Sequence, residues 1–455
     1  MDPGFYLFVD SNLQSLLQFS STVKKLGDLL VDKTRRGKSP AKEGYLDNGI
    51  PIIKTANITD TFVDWDDCSK VSERFYLENI NAQPLPFDLM LSSTGVGSVG
   101  KVDIFDEVNK KCVCSAKISI IHPNKQAINP YYLLVYLRSI FGKSQMVNSA
   151  RGATGQVELY ASDIEQILVP IPSIEVQEKI AERVTDARHK WSTYCQSLST
   201  SKQIFNTMLS ENFTKSITSK TYTICSSDLQ KRLDADFYKT KNIQQNSKNS
   251  SLKMVRLREI ASAERGLTPT RNDYAATGVK VIKTASLTGK GLNRKFGHIS
   301  HNYDASASIK VHKDDLVIAS TGAGSIGKAD IYNQEEVALS VAELTILPVS
   351  DLKIDPYYLY LFFNSELGRS QLEQASRGST GQQHLYIRDL LNILVPIPLD
   401  FSNLELKSAL ELARVSLAVK SEAEESILKV INDVQQMIAS KNERRTTADQ
   451  KGGGV

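Results

Sequence analysis

Polar and apolar positions along this chain fall into two patterns that alternate. In 173–213, Ile180, Val184, Ala187, Trp191, Tyr194, Leu198, Ser201, Phe205 and Met208 recur at steps of four and three residues. That is the seam of a long helix that needs a second helix to cover it. The stretch 400–442 keeps the register 226 residues later, with Leu406, Leu410, Ala413, Leu417, Lys420, Glu424, Ile427, Ile431 and Val434 at the matching places. Lys420 and Glu424 interrupt its stripe, and the expectation is that they face solvent or a partner, or that the seam is weakly packed there. The second pattern consists of short β-like runs such as Lys117–Ile121, Val279–Thr284 and Asp315–Ala319, punctuated by Gly, Pro and Asn turns.

These patterns repeat because the chain is one unit written twice. Leu168-Val169-Pro170-Ile171-Pro172 returns as Leu394-Val395-Pro396-Ile397-Pro398. Pro130-Tyr131-Tyr132-Leu133 returns as Pro356-Tyr357-Tyr358-Leu359, and Arg151-Gly152-Ala153-Thr154-Gly155-Gln156 as Arg377-Gly378-Ser379-Thr380-Gly381-Gln382. Ser93-Thr94-Gly95 matches Ser320-Thr321-Gly322, and Ile53-Lys54-Thr55-Ala56 matches Ile282-Lys283-Thr284-Ala285. Even Asp2-Pro3-Gly4-Phe5-Tyr6 is echoed by Asp234-Ala235-Asp236-Phe237-Tyr238. The expected fold is α+β: two repeated mixed α/β domains joined by two long antiparallel coiled-coil helices in a pseudo-twofold arrangement. The domains are placed at 1–172 and 252–399, the helices at 173–213 and 400–442, a polar connector at 214–251 and a disordered tail at 443–455. At 1.5 Å per residue a helix of ~37 residues is a rod of roughly 55 Å, able to hold two heads apart.

Composition narrows the class. With 41% hydrophobic and 23% charged residues the chain reads as globular. No apolar stretch approaches the ~20 residues of a membrane span, and the first residues lack the basic start of a secretory signal, so a cytoplasmic location without a membrane is expected. Five scattered cysteines argue against a disulfide framework. Cys112-Val113-Cys114 has no second ligand pair nearby and sits more naturally in a strand than around a metal, so no metal site is assigned. A net charge of +4 permits nucleic acid as a partner without requiring it.

Several motifs suggest chemistry that their surroundings do not support. Gly95-Val96-Gly97-Ser98-Val99-Gly100-Lys101 has the spacing of a phosphate-binding loop. Such a loop must open a helix at its lysine and follow it with Ser or Thr for magnesium. Here Val102-Asp103-Ile104-Phe105 reads as a strand, as does the stretch after Gly327-Lys328-Ala329 in the second copy, so a glycine turn between strands is the reading. Asn129-Pro130-Tyr131-Tyr132 resembles a methyltransferase motif, yet the copy at Asp355-Pro356-Tyr357-Tyr358 marks both as helix caps followed by Pro at the first helical position. Asp103 beside Lys101 could suggest a nuclease, but Asp330 beside Lys328 repeats the arrangement as a turn feature. No catalytic residue and no cofactor site is assigned.

What remains is a basic and polar inventory on expected loops. In the first half it comprises Lys33, Arg35, Arg36, Lys38, Lys54, Asn57, Lys101, Arg151 and Gln156. In the second it comprises Arg265, Thr270, Arg271, Asn272, Lys283, Lys328, Arg377, Gln382, Gln383 and His384. Arg and Lys neutralise phosphates or pair with guanine, and Asn and Gln pair with adenine. Arg151 and Arg377 equally well brace the turns they begin. Loops 33–40 and 265–272, dissimilar between copies, are the candidates for base discrimination.

Taken together, the duplicated halves, the Ser-Thr-Gly turns, the Pro-Tyr-Tyr-Leu helix starts, the Arg-Gly-x-Thr-Gly-Gln turns and the Leu-Val-Pro-Ile-Pro exits into long helices resemble the specificity subunits of Type I restriction-modification systems, over essentially the whole chain. The second helix departs from the pattern, beginning Asp400-Phe401-Ser402-Asn403 where the first has Ile174-Glu175-Val176-Gln177. The resemblance implies two target-recognition domains that each read one part of a bipartite site in double-stranded DNA, separated by unread base pairs whose number the helices set. It also implies two methyltransferase subunits using S-adenosylmethionine and restriction-translocase subunits using ATP and Mg. Two other readings stay open at this point: a phosphate-loop nucleotide enzyme, and a coiled-coil adaptor that ignores DNA.

Overall fold

The computed structural model describes residues 22–107, 110–152, 157–213, 252–301, 303, 309–322, 324–378 and 383–449, the side chains of 212–213 and 440–449 excepted. The connector 214–251, the echoed segments near residues 2 and 234, and the last residues from 450 lie outside them. The chain divides into two compact units, one of residues 1–191 with 421–455 and the other of 192–420. Each unit takes one segment of each long helix, Ile174–Phe213 and Leu404–Asp449.

Among its described residues the first unit has nine strands: β1 (Val23–Lys25), β2 (Arg35–Arg36), β3 (Ile50–Ile53), β4 (Ser69–Val71), β5 (Asp88–Ser92), β6 (Val102–Phe105), β7 (Val113–Cys114), β8 (Ile118–Ile121) and β9 (Leu168–Pro170). They form a sheet ordered β2-β8-β5-β6, a second ordered β4-β3-β7 and a ribbon of β1 with β9. The second unit has β10 (Leu252–Arg256), β11 (Glu264–Arg265), β12 (Tyr274–Ile282), β13 (Gly297–Ile299), β14 (Lys310–Val311), β15 (Leu316–Ala319), β16 (Ala329–Ile331), β17 (Ala338–Ser340), β18 (Leu344–Leu347) and β19 (Leu394–Pro398). Its β11-β18-β15-β16 sheet repeats the first unit's four-stranded sheet, its parallel β12–β17 pair repeats β3–β7, and β10 with β19 repeats the ribbon. Each unit is thus a mixed α+β fold, as the sequence pattern predicts.

The repeated sequence landmarks are bonded to one another, which explains why they recur together. Asn129 caps the helix Pro130–Arg138 by accepting from the N–H of Tyr131 at 2.9 Å, and Asp355 caps Pro356–Asn364 by accepting from Tyr357 N–H at 2.8 Å. The next tyrosine in each motif is fully buried. Tyr132 donates its hydroxyl to the Pro170 carbonyl at 2.8 Å, and Tyr358 donates to Pro396. A glutamine from the following helix closes each lock: Gln145 accepts from Leu168 N–H at 2.8 Å and Gln371 from Leu394 N–H at 2.9 Å. A tyrosine hydroxyl and a strand carbonyl buried together each need a partner, and here they satisfy one another.

The long helices bury a broader face than a narrow coiled-coil seam. In the second helix Leu406, Ala409, Ala413, Ser416, Leu417, Lys420, Ala423, Glu424, Ile427, Val430, Ile431, Val434 and Ile438 are all buried. In the first unit Ile180, Val184 and Ala187 share one core with Ala423, Ile427, Val430 and Val434 and with head residues such as Leu133 and Tyr136. Trp191 stacks on Phe62 with ring centroids 4.6 Å apart. Each helix segment therefore packs on its partner helix and on a globular head at once, which widens the apolar stripe. Contacts between the helices occur inside each unit: Arg183 pairs with Asp433 at 2.7 Å in the first, and the Ser201 hydroxyl donates to the Ala409 carbonyl at 2.7 Å in the second.

Two expectations change. Lys420 and Glu424 do not face solvent, being only 5% exposed each, and Lys420 Nζ donates to the Leu292 carbonyl at 2.6 Å. A buried ammonium requires such acceptors, and the loop 288–292 brings one to the seam. The second helix also runs to Asp449 rather than ending at 442, there being no Gly or Pro before Gly452 to stop it.

The arginine at equivalent places on the two long helices ties helix to head. Arg188 reaches Asp103 at 2.8 Å, both carboxylate oxygens of Asp106 and the Ile104 carbonyl, while Arg414 pairs with Asp355 at 2.9 Å and lies over the Tyr357 ring at 4.3 Å. Asp103 has no exposed surface and Arg188 is itself largely buried, so deleting the cation takes one of two arginines from Asp103 and the arginine from Asp106. Arg188→Met is expected to destabilise the first unit by about 3–5 kcal/mol in urea unfolding, whereas Arg183→Met, which breaks an exposed pair, should cost no more than about 1 kcal/mol.

Candidate nucleic-acid interface

In each unit the strand that carries the first arginines, the glycine turn and the Arg-Gly turn converge at one end of the four-stranded sheet. β2 pairs antiparallel with β8, placing Arg36 opposite Ser119, and β11 pairs with β18, placing Arg265 opposite Thr345. The glycine after each arginine passes against backbone: a Cβ on Gly37 would lie 2.2 Å from the Cys114 carbonyl oxygen, and one on Gly266 2.3 Å from that of Val341. Only glycine fits there. Residues 95–100, and the described residues 322 and 324–327, lie between antiparallel strands β5 and β6, and β15 and β16, as the sequence pattern predicts. Lys101 and Lys328 leave these turns half-buried, leading into strands rather than helices.

A three-residue bridge then joins the turns. Glu158 pairs with both Thr94 and Arg151, and His384 with both Thr321 and Arg377. Arg151 and Glu158 exchange both backbone N–H bonds at 2.8 Å, and Arg377 and His384 do the same at 2.8 and 2.7 Å. The side chain of Arg151 donates to Asp163 at 2.6 Å, and that of Arg377 to Asp389 at 2.6 Å. Both arginines are thus braced by a carboxylate twelve residues on while their side chains stay 70% and 64% exposed. Arg36 lies against the same bridge in the first unit, donating to the Glu158 carboxylate and, at 3.1 Å, to Ser93 Oγ. Arg265 donates to the Leu385 carbonyl at 3.2 Å, and its Nε is buried without a partner.

A second repeated feature lies on the parallel pair. Lys54 Nζ sits 3.9 Å from the Tyr45 ring centre and donates to Ser69 Oγ at 2.8 Å, and Lys283 Nζ sits 4.1 Å from the Tyr274 ring centre. A lysine held over a tyrosine face keeps its charge while losing conformational freedom. Lys33, Lys38, Arg271, Asn272 and Gln383 are exposed. Thr270 opens the turn 270–273 through Asp273, with N–H and hydroxyl both directed at that carboxylate. Gln156 and Gln382 lie outside the described residues.

Two candidates from the sequence turn inward and are corrected. Asn57 is 4% exposed, its Oδ1 accepting from Lys54 N–H at 2.9 Å and its Nδ2 reaching the Asp64 carbonyl at 3.5 Å, so it holds its own loop together. Arg35 alternates to the other side of β2 from Arg36 and pairs with the buried Asp88 at 2.7 Å. Burial raises the Asp88 pKa, against the pull of Leu85 N–H, His122 and Arg35. Asp103 is likewise turned inward, accepting from Val63 N–H and Arg188, each at 2.8 Å, and forming an ion pair with Arg138. Its counterpart Asp330 accepts from the N–H groups of Thr288, Gly289 and Gly291, and burial outweighs them to raise its pKa. Neither aspartate presents an oxygen to solvent for a metal-dependent cut. At the point of departure between the helices, Gln177 is buried and accepts from Asn129 N–H at 2.9 Å, while Asn403 is exposed and caps its own helix by accepting from Glu405 and Leu406 N–H.

Sequence reasoning missed Glu158, whose partner Arg36 is far away along the chain. It also missed Arg188 and Arg414, although these occupy the same place in the two copies, just beside the seam.

The family model described as Type I restriction modification DNA specificity domain matches residues 20–189 and 249–403. The Type I restriction enzyme EcoBI specificity subunit of Escherichia coli is 28% identical over 176 residues, which are 38% of this chain and 35% of that protein. The Type I restriction enzyme MjaVIII specificity subunit of Methanocaldococcus jannaschii is 21% identical over 425 residues, 90% of this chain and 91% of the relative. In two of the matches the chain spans only 46% and 35% of the relative's length. The crystal structure of a Type I restriction-modification S subunit from M. genitalium aligns over 92% of this chain and 95% of that one, with 13% identity and a TM-score of 0.44.

Because each glycine turn runs into a strand, its N–H groups are not backed by a helix N-terminus, and no Ser or Thr follows the lysine. Titration of the isolated chain with ATP and magnesium should give no saturable binding heat, and Lys101→Ala should leave that result unchanged.

Proposed function

Because the chain belongs to the Type I restriction modification DNA specificity domain family, matched in both of its halves, we propose that it is the sequence-reading subunit of a restriction-modification enzyme, with one unit reading each part of a two-part site in double-stranded DNA. The observation that carries this is the doubled edge of Arg36, Thr94, Arg151 and Glu158 in one unit and Arg265, Thr321, Arg377 and His384 in the other. The same backbone frame presents different side chains, as two readers of different bases require.

Residues that repeat cannot by themselves make the two half-sites differ, although a repeated side chain can still meet a base. Lys54 and Lys283, Lys101 and Lys328, and Arg151 and Arg377 are assigned to phosphates, which fix register without reading sequence. Arg36, Lys33 and Lys38 in one unit, and Arg265, Thr270, Arg271, Asn272, Gln383 and His384 in the other, are assigned to base edges or their immediate approach, together with Gln156 and Gln382 from the sequence. Asn57 and Arg35 serve the scaffold. The chain itself holds no cofactor and performs no reaction; methyl transfer from S-adenosylmethionine to adenine and ATP-driven, Mg-dependent cleavage belong to partner subunits, two for modification and others for restriction. The setting is the cytoplasm, and among the described residues no helix is long and apolar enough to cross a membrane.

Exchanging residues 252–399 for those of a related chain should replace one part of the recognised sequence and leave the other intact; an unchanged sequence would favour an adaptor that ignores DNA. Lys54→Ala and Lys283→Ala should each weaken binding to all duplexes about equally and flatten the dependence of log affinity on log salt by about one unit, as measured by fluorescence anisotropy across a salt series.

A further inference from the structure

The bridge between the two turns singles out one position. Around it almost everything is duplicated: the glycine that packs on backbone (Gly37, Gly266), the Ser-Thr-Gly turn, and the arginine braced by an aspartate (Arg151 with Asp163, Arg377 with Asp389). The residue at the centre is not. Glu158 occupies it in the first unit and His384 in the second, each exchanging two backbone hydrogen bonds with its arginine, Arg151 or Arg377, and lying opposite Thr94 or Thr321 in a bridge whose bonds are made by the flanking residues.

Two further substitutions border it. Lys117, whose carbonyl accepts from Ser93 N–H at 3.0 Å, is replaced by Glu343, whose carbonyl accepts from Ser320 N–H at 2.8 Å. Lys38, following Gly37, is replaced by Leu267, following Gly266. Three variable side chains thus sit on a constant frame, and with histidine neutral their charge changes from +1 in the first unit to −1 in the second. The arginine behind them responds. Arg36 is held by the Glu158 carboxylate, whereas among the described residues the Arg265 side chain donates to the Leu385 backbone carbonyl and its buried Nε has no partner.

We propose that Glu158 and His384 are the specificity-determining residues of their respective units, each setting, together with the arginine behind it, which base pair that unit accepts at one place in its half-site. The inference rests on the DNA-reading function proposed above. A carboxylate only accepts, so Glu158 selects a base edge that offers an amino group, cytosine N4 or adenine N6, while it aims Arg36 at the neighbouring acceptors. A neutral imidazole offers one donor and one acceptor, so His384 accepts a base edge that Glu158 would repel, such as guanine O6 and N7. Glu158 is one-third exposed, enough to meet a base and to tolerate replacement.

The test is selection from a library of random-sequence DNA duplexes by the full chain, comparing wild type with Glu158→His, His384→Glu and the milder Glu158→Gln, with thermal unfolding as a control for folding. The expected result is a two-part motif for the wild type. Glu158→His should then change the preferred base pair at one place in one part, and His384→Glu at one place in the other, each by about tenfold or more. A wild-type motif that survives all three replacements unchanged, or a loss of affinity equal for every sequence in folded variants, would overturn the assignment of these residues and leave the DNA-reading function standing. A wild-type chain that enriches no motif would overturn both.

Discussion

Two helices of 40 and 46 residues carry apolar faces that water does not tolerate, and the need to cover those faces organises the molecule. Neither helix is covered by its partner alone. In the first unit Ile180, Val184 and Ala187 share a single continuous core with Ala423, Ile427 and Val430 and with the buried tyrosine helix of the head. In the second, Phe205 packs edge-on against Tyr358 at 5.1 Å, and Tyr194 donates its hydroxyl to the Lys290 carbonyl at 2.5 Å. A globular domain whose core includes its own supporting helices cannot swing freely on them. Reading residues attached to such a domain keep a fixed geometry relative to the helix segments they share a unit with.

The duplication makes roles separable. Where the two copies agree, the shared residues are structural or independent of sequence: tyrosine hydroxyl to proline carbonyl, glutamine to strand N–H, arginine to aspartate, lysine over tyrosine. Where they disagree on the same frame, the difference is free to carry information. Charged groups follow the same division. Those turned inward, Asp88, Asp103 and Asp330, are surrounded by N–H donors or arginines and serve the scaffold, while those on the bridged edge remain partly exposed and available to a ligand.

Much of this was legible in the sequence, for definable reasons. The helical seam could be read because its period is local, and the glycine turns because positive φ at Gly95, Gly97 and Gly100 leaves glycine as the favoured choice. The repeated motifs revealed the two-unit plan because both copies must build the same hydrogen bonds. What escaped was set by partners that the local pattern does not reveal, most of them distant along the chain. Lys420 and Glu424 read as a break in the seam, facing solvent or a partner or packing weakly, because the loop that receives Lys420 lies 128 residues earlier in the chain. Asn57 read as a surface amide because nothing local reveals that its side chain closes a loop, and Arg35 could not be told from Arg36 without knowing which face of β2 meets Asp88. Glu158 went unnoticed because the Arg36 that pairs with it is 122 residues away.

Hydroxyl-radical footprinting of the full chain on a duplex it selects measures most directly whether two units read one DNA. Two protected patches separated by accessible base pairs, with the patch nearer one half-site lost when residues 252–399 are exchanged, is the predicted pattern. A single continuous patch, or protection that does not depend on the sequence of the duplex, would contradict it.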